Sequence, residues 1–303
     1  KQKLKQQKPH LVGCNKIRML MKVVIIGSGN VATHLALALQ AQGITICQIY
    51  SRTTSNAEIL AKKLDTPFTN DISEIYRNAD VYLYALNDSS FLKLLKKFKL
   101  PNALHIHTSG SIPMGDFFGY ADRYGVLYPL QTFSKMKEVD FSQVPVCIEG
   151  ITPEVEEEIE KIAKLLTSKI YMMNSEKRRK LHLAAVFACN FSNYMYDLAF
   201  DIVMSAGIDF EILQPLIAET ANKITTMTPK EAQTGPAVRF DEKIIHKHLS
   251  LLNRKKDVRE IYRILSKSIF KKHRKRKKSG SLVSYLNRLK NKFSFLSSSL
   301  SKL

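Results

Sequence analysis

A short glycine-rich turn near the start of the chain has the residue types and spacing of a phosphate-binding loop. Residues 27–32 read G-x-G-x-x-A, with small residues at all three fixed positions. The first glycine permits a tight turn, the second lets a pyrophosphate approach the backbone, and the final alanine lets the next helix pack closely on the sheet. The phosphates then bind free N–H groups at the helix N-terminus. We expect cofactor contacts from Gly27, Ser28, Gly29, Asn30 and Val31.

The end of the second predicted strand indicates which dinucleotide this turn binds. Sites that prefer NAD place Asp or Glu here, where the carboxylate holds the ribose 2′-hydroxyl. This chain instead reads Ser51-Arg52-Thr53, a guanidinium between two hydroxyls, which suits a 2′-phosphate. We therefore expect NADP(H), with these three residues at its adenosine end. The alternative is that Arg52 is an ordinary solvated arginine.

Polar residues also follow two later predicted strands, at the sheet edge where parallel strands bind their ligands. Leu86 and Asn87 follow one of these strands and are expected to contact the cofactor. His107 and Ser109 follow the other, where they can donate to a carbonyl or carry a proton near a nicotinamide ring. The alternative is structural, with His107 capping the strand and Ser109 capping the next helix.

A long apolar helix is predicted over 175–206, and polar residues interrupt its uncharged centre. At 100° per residue, His182, Asn190, Asn193 and Asp197 fall within about 80° of one another around the helix axis. Buried polar groups need partners, so this stripe faces an active site or a subunit or domain interface, unless it is simply exposed. His182 and Asn190 are therefore candidate catalytic residues, together with His107 and Ser109.

The cysteines and histidines are not spaced as metal ligands. The four cysteines lie far apart with no C-x-x-C pair, which indicates a reducing, cytoplasmic compartment and neither a zinc site nor a disulfide framework. His246 and His248 are two residues apart on a predicted helix, so they point some 200° apart and cannot share a metal. The sequence predicts no metal site.

Alternating strands and helices predict the elements that position these residues. Strands are expected at 22–26, 44–50, 66–69, 80–86, 103–107, 125–127, 144–149 and 169–173, and helices between them include 31–42, 57–64, 72–78 and 91–98. This order predicts an α/β fold: a Rossmann, doubly wound, mostly parallel sheet followed by an all-α C-terminal dimerisation domain. The expected divisions are a basic, disordered extension over 1–20, an NADP-binding domain over 21–150, a helical domain over 151–270, and a basic tail over 271–303 that is disordered or amphipathic.

The charge of the chain lies at its two ends. The 303 residues hold 47 Lys and Arg against 27 Asp and Glu, a formal charge of +20. Residues 1–20 and 271–303 carry six and eleven of the basic residues and no acidic ones, so the centre is nearly neutral. We therefore expect no specific nucleic-acid partner.

The uncharged stretch 23–51 is punctuated by glycines and amides at turn positions, so no integral membrane segment is expected.

Several segments together resemble one known family. With the glycine turn and Ser51-Arg52-Thr53, the strings HTSGS, YPLQTF, LAAVFACNF and TGPAVR resemble the Rossmann-like NADP oxidoreductases related to pyrroline-5-carboxylate reductase. The chain is most similar to the bacterial subgroup whose C-terminal half is a domain of unknown function, over roughly 21–270. The resemblance implies an N-terminal NADP-binding domain, a helical C-terminal domain that forms a homodimer, and an active site between the domains.

Two functional hypotheses follow. The first is an NADP(H)-dependent oxidoreductase that transfers hydride to a small C=N or C=O substrate, in which the cofactor carries the hydride chemistry and the protein positions and polarises the acceptor. The alternative is a sensor or scaffold protein that binds NADP(H) without turnover, because the sequence shows no clear acid–base pair.

Overall fold

The computed structural model describes residues 21–98 and 102–274, in two compact units that meet between Asn193 and Tyr194. We describe each unit by itself. The predicted extension over 1–20 and the tail beyond residue 274 lie outside the described residues.

The first unit is built on an eight-stranded sheet with the strand order β3-β2-β1-β4-β5-β6-β7-β8. Every neighbouring pair is parallel except β6 and β7, which are antiparallel. The first two strands are rich in β-branched residues, and the central strands of the sheet are almost wholly buried, as expected of a sheet covered on both faces. The predicted Rossmann-type sheet is confirmed. Its strands are β1 (Lys22–Ile26), β2 (Thr45–Tyr50), β3 (Phe68–Thr69), β4 (Val81–Tyr84), β5 (Leu104–His107), β6 (Tyr124–Pro129), β7 (Val146–Gly150) and β8 (Ile170–Met172).

Helices cover both faces of this sheet. On one face the side chains of α1 (Asn30–Ala41), α2 (Thr54–Leu64) and α4 (Pro153–Lys164) form one buried cluster with the strands. On the other face α3 (Asp88–Leu95) and a short turn at Met114–Phe117 form a second cluster, rich in aromatic rings. Two packed layers around a central sheet fix the ends of the strands in space, so the loops that follow them are held rigidly.

The prediction of a helix over residues 72–78 is wrong. Only a single turn forms at Ile72–Glu74, and the Asp71 carboxylate caps its start by accepting from the Ser73 N–H at 2.8 Å. The Tyr76 N–H then donates to the side-chain oxygen of Gln48 at 2.7 Å instead of to a helical carbonyl. A contact distant in sequence therefore ends the segment, and local pattern could not show it.

The long helix predicted over 175–206 is present with one irregularity. It consists of α5 (Ser175–Ala185), a π-helical turn at Val186–Phe191, and α6 (Ser192–Ser205). A π turn carries one extra residue per turn, so it rotates the following side chains relative to an ideal helix. Such turns are often found at functional sites.

The described part of the second unit is entirely helical. After the end of α6 come α7 (Gln214–Lys223), α8 (Pro229–Ala232), α9 (Pro236–Arg239), α10 (Glu242–Leu251) and a last helix, α11, over 256–274. Within these residues the only buried apolar side chains are Ala237, Ile245 and Leu252, whereas many large ones are exposed. No helix among the described residues is long and apolar enough to cross a membrane.

Candidate active site

The glycine turn connects β1 to α1 in a conformation that only glycine adopts easily. Gly27 has φ +125°, and its N–H donates to the Tyr50 carbonyl at the end of β2 at 2.7 Å. A Cβ at Gly27 would collide with the backbone carbonyl of Ala85. The turn is therefore pressed between the ends of β2 and β4, and its first glycine is required for packing.

The second glycine of the turn faces open space. A Cβ at Gly29 would meet nothing within 4 Å, and α1 begins at the next residue without any side-chain cap. The first N–H groups of a helix have no partner within the helix and favour an anion. The open side of Gly29 and the uncapped start of α1 therefore fit the pyrophosphate of a dinucleotide.

Replacing Gly29 by alanine is expected to weaken NADPH binding, whereas replacing Gly27 by alanine is expected to lower stability. Gly29→Ala fills the space of the phosphates, so NADPH affinity falls by about tenfold or more, while the free energy of unfolding changes by less than about 1 kcal/mol. Gly27→Ala lowers the free energy of unfolding because of its φ and the Ala85 contact. Fluorescence titration with NADPH and urea unfolding of both variants measure this. Full NADPH affinity in Gly29→Ala would contradict the assignment.

The predicted adenosine end lies just beyond β2. The Ser28 hydroxyl donates to the Ser51 hydroxyl at 2.8 Å, and both side chains are buried, so this pair ties the turn to the end of β2. Arg52 is exposed, and its Nη2 donates to the Ser90 hydroxyl at 2.8 Å. Thr53 stands at the N-cap position of α2, with no side-chain hydrogen bond to the helix. The structure therefore groups Ser28, Ser51, Arg52 and Thr53 at the end of β2, and the binding of a 2′-phosphate by Arg52 stays a prediction.

A cavity of about 420 Å³ opens beside the glycine turn, and we call it the turn cavity. Its walls come from the ends of β4, β5 and β6, from the start of α1 and from α5, which is the edge where sheets of this kind bind ligands. The predicted residues Gly29, Asn30, Val31, Leu86, Asn87, Ser109 and His182 all line it. The remaining lining residues are Ala85, Asp88, Thr108, Gly110, Ser111, Tyr128, Pro129, Gln131 and Phe133.

A hydrogen-bonded cluster forms part of the wall of the turn cavity. Asp88 accepts from the Ser111 hydroxyl at 2.7 Å and from the Ser109 hydroxyl at 3.3 Å. Asn87 caps α3 by accepting from the Ser90 N–H at 2.9 Å. The Ser109 hydroxyl also accepts from the Ser111 and Ile112 N–H groups at 3.1 and 3.2 Å, so it caps the turn that follows β5, as the structural alternative for Ser109 predicts. The sequence places the segment after β4 at this edge, but it assigned contacts only to Leu86 and Asn87 and no role to Asp88.

His107 lies behind the cavity wall instead of lining it. Its side chain is buried on the aromatic face of the sheet, stacked on Phe117 with ring centroids 5.8 Å apart. Its Nδ1 accepts from the Ser109 N–H at 3.2 Å. This placement gives His107 a role in shaping the 107–111 segment, and it does not support the predicted proton transfer to a substrate.

The burial of His107 makes stability depend on pH. Burial, with the Arg178 guanidinium as a second cause, lowers the pKa of His107 from 6.5 to about 3. Between these values the unfolded chain binds a proton that the folded protein does not, so stability falls as the pH drops below about 6.5, by about 1.4 kcal/mol per unit. Urea unfolding at about pH 7 and about pH 5.5 should show this loss in the wild type and a smaller one in His107→Asn. Equal losses in both proteins would contradict it.

A second cavity of about 420 Å³ adjoins the first along the π turn, and we call it the helix cavity. Three residues line both cavities, namely Tyr128, Gln131 and His182. The predicted residue Asn190 lines the helix cavity but not the turn cavity. The other lining residues are Leu130, Thr132, Leu181, Ala184, Ala185, Val186, Ala188 and Cys189. Two of the four candidate catalytic residues, His182 and Asn190, therefore share one cavity.

Tyr128 is the functional candidate that sequence reasoning missed. It stands near the carboxyl end of β6, and its hydroxyl lies 2.9 Å from His182 Nδ1. A Cβ at Gly110 would lie 2.6 Å from that nitrogen and 2.8 Å from Tyr128 Cζ, so the absence of a side chain there leaves room for the pair. The position of Tyr128 at the ligand-binding edge of the sheet is a signal that could have found it.

A buried ion pair fixes the elements that carry these residues. Arg178 on α5 has no exposed side-chain surface and binds the Glu149 carboxylate of β7. The same guanidinium donates to the Ile112 carbonyl at 2.6 Å, just after the 107–111 segment. Glu149 also accepts from the Ser175 N–H and hydroxyl at 2.9 and 2.8 Å, at the start of α5. The pair thereby holds the helix that carries His182 against the loop that carries Ser109.

Comparison with known proteins places this site in a class. Residues 22–108 match a family model described as NADP oxidoreductase coenzyme F420-dependent, and residues 144–269 match one described as a domain of unknown function, DUF2520. Among curated proteins no sequence matches the chain significantly.

Solved structures share the fold over most of the chain. A protein of Bacteroides fragilis assigned as an NADP oxidoreductase is 43% identical, with TM-score 0.81, over 84% of this chain and 99% of that one. An imine reductase of Myxococcus stipitatus in complex with NADP+ is 17% identical, with TM-score 0.59, over 86% and 95%. A 1-pyrroline-5-carboxylate reductase of Streptococcus pyogenes is 14% identical, with TM-score 0.55, over 83% and 98%.

The Rossmann-type sheet, the glycine turn and these matches define an NADP-dependent oxidoreductase. More narrowly, the chain belongs to the family of NADP oxidoreductases that join this nucleotide-binding domain to the DUF2520 domain and are related in fold to pyrroline-5-carboxylate reductase.

Proposed function

We propose that the protein reduces a small C=N or C=O compound by hydride transfer from NADPH, with the reaction centred where the two cavities meet. One observation carries this proposal. The turn cavity runs from Gly29 and the start of α1 to Ser109, Tyr128 and His182, so it joins a phosphate-binding turn to hydroxyl and imidazole groups. When bound, NADPH supplies the hydride, and the protein supplies binding, orientation and proton handling.

The side chains divide into those that hold the cofactor and those that face the acceptor. The N–H groups at the start of α1 bind the pyrophosphate, and Arg52, with Ser51 and Thr53, binds the 2′-phosphate. Leu86 and Asn87 contact the cofactor along the wall of the turn cavity.

Ser109, His182 and Asn190 face the acceptor in this proposal. The Asp88 carboxylate orients the Ser109 hydroxyl from the wall of the turn cavity. Asn190 can donate to the acceptor from the wall of the helix cavity, and His182 can hold a proton between the two cavities. The C=N part of the acceptor class is that of the imine and pyrroline-5-carboxylate reductases that share the fold.

We also infer that the second unit forms a homodimer. Four large apolar side chains on α6 and α7 are between 43 and 63% exposed, namely Phe200, Ile202, Met204 and Leu216. Apolar surface of this extent on neighbouring helices marks a protein interface, and a second copy of the chain is the occupant that the family resemblance implies. Sedimentation velocity should give twice the monomer mass, and a monomer at micromolar concentration would contradict the inference.

A cytoplasmic location is part of the same proposal. Cys47, Cys147 and Cys189 are all unpaired among the described residues, as in proteins of a reducing compartment.

Stopped-flow measurement of NADPH oxidation tests the reaction. The bound cofactor is mixed with a panel of imines, ketones and 2-oxo acids, and absorbance at the nicotinamide band is followed. We expect oxidation with at least one imine or ketone and none with NADPH alone. Tight NADPH binding with no oxidation across the panel would instead favour the sensor hypothesis.

A further inference from the structure

The Tyr128–His182 pair occupies the one wall that the two cavities share. The Tyr128 hydroxyl lies 2.9 Å from His182 Nδ1, and both residues line the turn cavity and the helix cavity. Their rings meet edge to face with centroids 5.9 Å apart. A group in the helix cavity therefore lies beside the same hydroxyl as a group in the turn cavity.

Tyr128 keeps its proton at neutral pH. Burial, more than the neighbouring Cys147, raises the pKa of Tyr128 to about 12. A phenol in this state can donate a proton but cannot act as a base. Its partner His182 can hold a proton on Nδ1 and pass it to the phenol oxygen.

The helix cavity has a chemistry distinct from that of the turn cavity. None of its described lining residues is an Asp, Glu, Lys or Arg, and six of the twelve are Ala, Leu or Val. A carboxylate placed there would give up part of its hydration without gaining a counter-charge from the described lining residues. The turn cavity offers no cation either, since its one charged lining residue in the described chain is Asp88.

We propose that Tyr128 is the proton donor of the reaction, and that the acceptor is a neutral C=O or C=N compound with an apolar body and no carboxylate, seated in the helix cavity. This inference rests on the proposed function and names its substrate class. A neutral acceptor needs a proton as well as a hydride, and the shared wall holds a protonated phenol where both cavities reach it.

The protons and electrons of this reaction are accounted for by NADPH, Tyr128, His182 and solvent. NADPH when bound supplies a hydride, and with it both electrons, to the acceptor carbon. The O–H bond of Tyr128 breaks and an O–H or N–H bond forms on the acceptor heteroatom. His182, carrying a proton on Nδ1, returns it to the phenolate oxygen and takes another from solvent. In this step His182 acts through Tyr128, as the group that restores the phenol proton.

The role of Tyr128 as proton donor is tested by measuring the turnover of two variants. In Tyr128→Phe the turnover number is expected to fall about 100-fold or more, the size of a general-acid contribution, with unchanged NADPH affinity by fluorescence titration. In His182→Phe the pH dependence of turnover should change while NADPH affinity is kept. Tyr128→Phe with full turnover would overturn the donor role.

A matched pair of substrates tests the acceptor class. 1-Pyrroline and 1-pyrroline-5-carboxylate share one ring and differ by a carboxylate. We expect a preference of about tenfold or more in kcat/KM for the uncharged ring, since each tenfold step corresponds to 1.4 kcal/mol of desolvation. Equal use of the two, or preference for the carboxylate, would overturn the substrate class.

Binding without turnover tests the cavity separately. Saturation-transfer NMR on the cofactor-free protein is expected to detect cyclopentanone but not cyclopentanecarboxylate. Ala185→Phe, which fills the helix cavity, should abolish the signal, whereas Leu183→Phe, on the exposed side of α5, should keep it. Loss in both variants or in neither would overturn the cavity assignment.

These measurements separate the two proposals. If NADPH binds and no acceptor is reduced, the proposed function and the donor role both fail, while the NMR result still decides the cavity. If turnover is found and Tyr128→Phe retains it, the proposed function stands and the donor role fails.

Discussion

Arg178→Met is expected to lower the free energy of unfolding by about 3–5 kcal/mol, the largest stability effect of any single substitution considered for this protein. The arginine side chain is 0% exposed and its partner Glu149 only 12%. Removing the guanidinium leaves a nearly buried carboxylate without a counter-charge and the Ile112 carbonyl without its donor. Methionine keeps most of the volume, so the loss reports charge pairing more than a cavity. Urea denaturation at neutral pH measures it.

Two further variants make this result specific. Arg123→Met removes a second Arg–Glu pair in the described part of the first unit, in which both side chains are 43% exposed, and should cost at most about 1 kcal/mol. The double variant Arg178→Met, Glu149→Gln should recover much of the lost stability, because no buried charge is left unpaired. A loss in Arg178→Met no larger than in Arg123→Met would show that the buried pair does not hold the site together.

Arg52→Glu is expected to weaken NADPH binding about 100-fold and to leave NADH affinity nearly unchanged. A guanidinium that binds a phosphate contributes roughly 1.5–3 kcal/mol, and a carboxylate in its place adds repulsion. NADH lacks the 2′-phosphate, so the substitution removes nothing that NADH uses. Fluorescence titration with both cofactors gives the ratio directly.

The control for Arg52→Glu is the same charge change elsewhere on the first unit. Lys62→Glu lies at the exposed end of α2 and should change neither affinity by more than the small effect of net charge. Parallel losses of NADPH and NADH affinity in Arg52→Glu would mean that Arg52 supports the fold of the turn instead of recognising the phosphate.

The sheet could be predicted from the sequence because its signals are local. Lys22–Ile26 and Thr45–Tyr50 are β-branched runs separated by a glycine turn and a helix, and each formed as expected. The segment over 72–78 could not be predicted, because Gln48, distant in sequence, takes the N–H group that a helix would need. The π turn at Val186–Phe191 leaves no mark in residue pattern either.

The site was only partly predictable for a related reason. A sequence motif locates Gly29 and Arg52, but it does not show on which face of the sheet the side chain of a strand residue lies. His105 and His107 are two residues apart on β5 and so share one face, which proved to be the aromatic core. Tyr128 is part of a wholly buried strand and looks like a core residue until its contact with His182, 54 residues away, is seen.

A crystal structure of the protein with bound NADPH tests the central claim most directly. The pyrophosphate should lie on the start of α1 beside Gly29, the 2′-phosphate on Arg52, and the nicotinamide in the turn cavity within reach of Ser109 and the Tyr128–His182 pair. A nicotinamide ring outside the turn cavity, or a 2′-phosphate that does not contact Arg52, would contradict it.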